Sequence, residues 1–275
     1  MKICFLSIDV EKRVNQSNQP FEGVDNLDNI LNIFRKHSVP ATLFVTGEVL
    51  EYSPDSVKKW SKDFEIACHS YWHIQLDKIK LSERERQVKD FVNRYKDVLR
   101  YPPKGFRAPR NVIDNEQFPI LERYGFLYDS SVFPRYPVSI GAYSGYRGRA
   151  PIIPYWPSKK NYRKKGENSI LEIPESPASF DIPFVGTWLR KLGTKFFKFI
   201  LKIKKPKFTS FTIHSWDGVK FEGKSSKNSG KIFLKQLDEI LGFLKSIGYE
   251  FKRGEEIYEE FFRPQADQPW AGKHK

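Results

Sequence analysis

Two histidines four residues apart, His69 and His73, break out of a short apolar run in the segment Glu65-Ile66-Ala67-Cys68-His69-Ser70-Tyr71-Trp72-His73. In a helical turn this spacing puts both imidazoles on one face, where they can grip one metal ion. Near the start of the chain Asp9 and Glu11 follow the β-rich run Lys2-Ile3-Cys4-Phe5-Leu6-Ser7-Ile8. Strand side chains alternate, so the two carboxylates point the same way. Neighbouring carboxylates repel and are costly in a core, and a cation between them relieves that cost.

The elements that must position these groups follow from apolar patterning. Strands are expected over 2–8, 41–47, 64–68, 104–107, 126–128, 170–174, 208–213 and 249–251, and helices over 25–36, 54–60, 81–99, 116–124 and 231–247, with a basic helix before the strand at 208. His37 falls at the end of the first helix. Alternation of this kind argues for an α/β fold, a parallel sheet covered by helices, as a barrel or a doubly wound sheet. Asp9, Glu11, His69, Arg107, Asp129 and His214 all fall at C-terminal ends of expected strands, which converge on one face of a barrel. Residues 133–166, rich in Pro, Gly, Tyr and Arg, read as an excursion over the barrel mouth or a β-hairpin. Residues 218–230 read as a mobile loop, 1–263 as a single domain and 264–275 as a disordered tail.

Composition bounds the rest. The 275 residues are 39% hydrophobic and 15% aromatic, enough for a sizeable core. Cys4 and Cys68 lie inside expected strands and read as small buried apolar residues. The apolar N-terminal run is too short for a signal peptide and no segment has the length of a membrane span, so the expected location is cytoplasmic. A net charge of +14 and a pI near 9.5 imply attraction to something anionic. The charge concentrates in residues 188–207, where lysines interleave with Trp188, Leu189, Leu192, Phe196, Phe197, Ile200, Leu201 and Ile203. That pattern fits a surface helix packed on the core, or one that touches an anionic membrane on its inner face. No recognition motif for nucleic acid is present.

Four motifs occur in a telling order: Ser7-Ile8-Asp9-Val10-Glu11, His69-Ser70-Tyr71-Trp72-His73, Phe106-Arg107-Ala108-Pro109 and Thr212-Ile213-His214. In order and spacing the chain resembles the NodB-homology polysaccharide deacetylases over roughly residues 1 to 130 and again at the strand before His214. The resemblance implies a distorted, incomplete (β/α) barrel and a divalent-metal-dependent hydrolase that removes an acyl group from an amino sugar. It assigns His69 and His73 as metal ligands, Asp9 as catalytic base, Arg107 as its clamp, the backbone N–H of Arg110 as oxyanion donor and His214 as general acid. The common form of the family has two adjacent aspartates after the first strand; here the second position is Val10, and Glu11 fits the D-x-D/E branch as the third ligand. Zinc suits two histidines and a carboxylate with open positions, with cobalt, manganese or nickel as substitutes. The acid that orients His214 stays open: Asp129 lies near the family's position, but the usual neighbouring tryptophan is missing. Ser70 is expected to orient a histidine or cap the loop, and Glu172 to face the site or serve structure.

The implied substrate is an acylated, chiefly acetylated, amino sugar of a cell-envelope glycan or of a lipid- or phosphate-linked precursor. A deformylase or other linear-amide hydrolase of the same fold belongs to the same chemistry. A catalytically silent glycan-binding barrel is the reading from a different class.

Overall fold

Strand β1 (Lys2–Val10) sets the plan of the molecule. The structure is a computed structural model and describes residues 2–13, 19–135, 148–178, 181–223 and 226–262. One edge of β1 pairs with β7 (Phe208–His214) from Ile3 to Asp9, while the other pairs first with β8 (Tyr249–Lys252) and then with β2 (Thr42–Val45). Beyond β2 the sheet continues through β3 (Glu65–Cys68), β4 (Gly105–Phe106), β5 (Tyr128–Asp129) and β6 (Leu171–Glu172), every pairing parallel. After β6 the chain returns to β7, where Val185 bridges Thr212. The result is a curled parallel sheet, a distorted and incomplete (β/α) barrel.

Alternation along β1 divides its side chains between two environments. Ile3 and Phe5 join Phe44, Ala67, Tyr128, Leu171, Ile173 and Phe208 in the cluster inside the curl. Cys4, Leu6, Ile8 and Val10 join the larger core beneath the helices. The lumen-facing set therefore runs Ile3, Phe5, Ser7, Asp9 and ends at Glu11, apolar at the base and acidic at the mouth. The same parity commits Val10 to the helix layer. Both cysteines are buried free thiols.

The outer layer includes α2 (Asp28–His37), α5 (Leu81–Leu99), α7 (Gly186–Lys204) and α8 (Lys231–Ser246). In α2, Ile30, Leu31 and Phe34 are buried at helical spacing. It begins later than the sequence suggested because Glu22–Asp25 forms a separate turn, α1. His37 does end α2, its Nε2 2.7 Å from Asp238. Helices α3 (Gly47–Tyr52), α4 (Pro54–Trp60) and α6 (Gln117–Arg123) fill the connections. Among the described residues, no helix is long and apolar enough to cross a membrane.

A last helix, α9 (Gly254–Phe262), closes the base of the barrel. The Gly254 N–H donates to Thr42 Oγ1 (2.9 Å) and the Glu255 N–H to Glu65 Oε2 (3.2 Å). Tyr128 lies between Gly105 and Gly254, and a Cβ at either glycine would come within 2.2 Å of its ring or hydroxyl. The Tyr128 hydroxyl donates to Glu65 Oε1 (2.9 Å), and Thr42 donates to Oε2 (2.7 Å). Burial pushes the Glu65 carboxyl up to about 7, against the hydrogen bond from Thr42.

The folded state therefore keeps a proton on Glu65 that the unfolded chain releases between 4.5 and about 7. Stability falls as pH rises through that window. Glu65→Gln keeps the shape without the charge. Its stability relative to the native chain is expected to increase by on the order of 3 kcal/mol from below the window to above it. Urea midpoints across the window measure this, and parallel curves for the two proteins would reject it.

One loop takes the hairpin, one of its two sequence readings, and another departs from its reading. Residues 155–166 form a hairpin, with Pro157 bridging Lys165. It packs Tyr162 on Phe118 of α6 and Trp156 on Tyr258 and Phe261 of α9, so this part forms no roof over the mouth. Residues 136–147 of that stretch, and the tail expected to be disordered, lie outside the described residues. The segment after Gly218, expected as a mobile loop, is anchored. Asn228 donates to the Arg190 carbonyl (2.7 Å), the Gly230 N–H to the Asp217 carbonyl (3.0 Å), and buried Phe221 lies 3.6 Å beneath the Arg13 guanidinium.

Candidate active site

The histidine pair does not lie on a helix. After β3 the chain adopts left-handed backbone at Ser70 (φ 63) and again at His73 (φ 53), and these two turns bring the rings to a centroid separation of 5.0 Å. Residues outside glycine and asparagine seldom adopt that conformation, so neighbouring contacts must hold it. The Ser70 hydroxyl donates to Gln87 Oε1 on α5 (2.8 Å), which also receives the Trp72 N–H (3.3 Å). The Gly47 and Glu48 N–H groups donate to the carbonyls of Ser70 and Tyr71. Ser70 thus pins the loop to α5 and does not orient a histidine.

His69 is oriented instead by the backbone. Its Nδ1 donates to the Arg107 carbonyl (2.9 Å), which leaves Nε2 directed at Glu11 Oε2, 3.5 Å away. His73 Nε2 contacts the same oxygen. Donor atoms of Glu11, His69 and His73 all lie within 4.8 Å of one another. One carboxylate and two imidazoles with this tautomer fit a divalent cation. Burial raises the Glu11 carboxyl, and His73 and His69 outweigh it, holding the group well below the ordinary carboxylate range.

Asp9 stands on the neighbouring rung of the lumen face. Arg107 Nη1 donates to Asp9 Oδ1 (2.7 Å) and Ser7 Oγ (3.0 Å), Nε to the Ser130 carbonyl (2.8 Å) and Nη2 to Ser130 Oγ (2.9 Å). The guanidinium also stacks on Phe44 (4.1 Å) and faces Glu175 Oε1 (3.2 Å). Burial raises the Asp9 carboxyl; Arg107, then His69 and His214, more than offset this and keep it below its ordinary value. Register places His214 directly beside Asp9 across the β1–β7 pair, with His214 Nε2 3.9 Å from Asp9 Oδ2. Beneath them the Ser7 and Thr212 hydroxyls lie 3.0 Å apart.

Asp129 and Glu172 fall on the wrong side of their strands. Tyr128, Leu171 and Ile173 face the lumen, so parity sends Asp129 and Glu172 to the opposite face. There Asp129 accepts from the Ser131 hydroxyl (2.6 Å) and N–H (3.1 Å), and Glu172 accepts from the Val132 N–H (3.0 Å). Burial, then Asp129, raises Glu172 well above the carboxylate range. Neither approaches His214.

Asp217 fills the place beside that histidine. Its Oδ2 accepts the His214 N–H (2.9 Å) and lies 4.0 Å from Nδ1, while Oδ1 pairs with buried Arg190 (2.9 Å). The spacing H-x-x-D at a helix start, where the third residue reaches back to the first, was the available signal. Glu175, held by Asn111 (2.9 Å), was missed because it follows β6 in irregular chain. Arg110 sits in the turn after β4 with φ 55 and an exposed side chain.

The family model for polysaccharide deacetylase matches residues 16–128. That span contains His69, His73 and Arg107; the fold then brings Asp9, Glu11 and His214 alongside. The chain is 28% identical to a peptidoglycan deacetylase of Helicobacter pylori over 126 residues, 44% of this chain and 43% of that protein. It spans less than half the length of the curated relatives it matches. The peptidoglycan deacetylase PdaC of Bacillus subtilis superposes with a TM-score of 0.55 at 15% identity, over 94% of this chain and 90% of that one. A CE4 family pseudoenzyme from Bacillus anthracis superposes with a TM-score of 0.57 at 14% identity, over 94% and 65%. Such distant superpositions speak to fold alone, whereas the family match runs through the histidine pair and the arginine clamp: over residues 16–128 the chain is similar in sequence to the polysaccharide deacetylases.

Proposed function

We propose that this chain is a divalent-cation-dependent hydrolase that removes an N-acyl group, chiefly acetyl, from an amino sugar of a cell-envelope glycan or a lipid-linked precursor. The observation that carries the reading is the grouping around Asp9: its carboxylate is clamped by Arg107, 3.9 Å from His214 and 4.0 Å from His69. Base, acid and ligand set thus share one opening.

An amide is a weak electrophile with a poor leaving group, so hydrolysis needs a proton acceptor for water and a proton donor for the amine. Glu11, His69 and His73 would hold the cation, zinc by preference, which supplies Lewis acidity toward the carbonyl and the water. Asp9, kept ionised by Arg107, takes the water proton. His214 delivers a proton to the nitrogen as the C–N bond breaks, giving a free amine and acetate. The Arg110 N–H is assigned to the developing oxyanion. Trp216 stacks on His214 with ring centroids 4.5 Å apart, and exposed Trp72 adjoins His73; both offer apolar faces to a sugar ring.

The silent-barrel alternative draws weight from the pseudoenzyme with the same fold. A binding barrel, however, needs no base, clamp and acid at these separations. The test loads purified protein with zinc, cobalt, manganese or nickel and follows free amine from N-acetyl and N-formyl amino sugars. Amine from acetylated substrates supports the proposal, and amine from formylated ones alone makes the chain a deformylase. Bound metal without any amine sinks the hydrolase reading.

A further inference from the structure

We propose that the exposed face of α7 docks on an anionic phospholipid bilayer. Helix α7 buries Leu189, Phe197, Ile200 and Leu201 against the molecule, which accounts for one apolar side. A second apolar set faces outward: Leu192 is 40% exposed, Phe199 65% and Ile203 57%. Phe199 and Ile203 are four residues apart and so adjacent on the helix surface. Exposed Lys195 and Lys202, at positions −4 and +3 from Phe199, border them, and exposed Lys205 follows the helix end.

No aspartate or glutamate occurs anywhere between Gly186 and Lys204. Phe199 and Ile203 form an adjacent exposed apolar pair bordered by lysines, and an exposed apolar patch with a polar rim is the form of an interaction surface. Glu239 of α8 pairs with Lys198, and α7 itself contributes only basic charges, which decides the partner's charge. A second copy of the same face would bring lysines against lysines, whereas anionic headgroups accept the lysines while Phe199 and Ile203 enter the boundary with the acyl chains. The helix is broken at Gly193 (φ 81), a conformation suited to glycine, and Phe199 and Ile203 both lie beyond the break.

At the other end, α7 begins at the active-site mouth. A Cβ on Gly186 would lie 2.2 Å from the carboxylate of Asp217, three residues after His214. Phe199 and Ile203 lie toward the opposite end of α7, which leads into β7 beside Ile3 at the base of the barrel. The proposal stands on this face and does not require the hydrolase reading.

The test is sedimentation of the full chain with phosphatidylcholine vesicles, with and without phosphatidylglycerol, at low and physiological salt. The native chain is expected to pellet with the anionic vesicles only, and less at higher salt. Phe199→Ser/Ile203→Ser and Lys195→Gln/Lys202→Gln/Lys205→Gln are each expected to weaken binding at least about tenfold while leaving the melting temperature in place. Equal pelleting with neutral vesicles, no pelleting, or serine variants that bind as the native chain does would overturn the proposal. So would a concentration-dependent dimer that the serine variants abolish, since a second copy would then cover the face.

Discussion

An Asp9→Asn variant is expected to keep its fold and its cation and to lose deacetylation by about three orders of magnitude, the scale of a positioned general base. Asparagine fills the same volume. Arg107 retains Glu175, Ser7 and Ser130 as partners, so no buried guanidinium is stranded. The proposed ligands Glu11, His69 and His73 remain in place. Amine release and metal content measured on the same preparation separate the two effects. Activity within tenfold of the native chain would move the proton acceptor elsewhere, with Glu175 the next carboxylate on Arg107.

Glu11→Ala is expected to empty the site. Glu11 supplies its carboxylate oxygen and is the group on which both histidines converge. Its loss should lower cation affinity by more than about 100-fold, beyond what loss of an outer hydrogen-bond partner costs. The two imidazoles stay oriented, His69 through the Arg107 carbonyl, so excess zinc should restore part of the activity. Metal content after dialysis and activity titrated against added zinc are the measurements. Retention of stoichiometric metal by the variant would assign the oxygen ligand to Asp9 and end the proposed division of labour between the two carboxylates.

What could be read in advance depended on how locally each feature is encoded. The period-two pattern of β1 carries its own geometry, so Asp9 and Glu11 share a face and Val10 does not, as the sequence implied. The histidine pair was legible as donors but not as backbone. Left-handed turns at Ser70 and His73 are imposed by Gln87, seventeen residues after Ser70, and by backbone amides of α3. Asp129 was placed correctly at a strand end and on the wrong face. A two-residue strand offers no alternation from which to read parity, and the lumen side is fixed only by Tyr128 packing between distant glycines. Asp217 reaches His214 through a helix-start contact, and Arg190 beneath it belongs to a helix that the sequence presented mainly as a charged surface.

The seating of Tyr128 also has a consequence for how relatives of this chain can diverge. Positions 105, 128 and 254 come from three separated parts of the sequence, yet the ring occupies the space that a side chain at either glycine would need. While the tyrosine stays, both glycines are obligatory. A lineage that replaces it with a small aliphatic residue releases both positions at once and removes a hydrogen bond from Glu65. These sites are thus expected to drift as a trio, and an insertion that shifts α9 along the base of the barrel should travel with a change at 128.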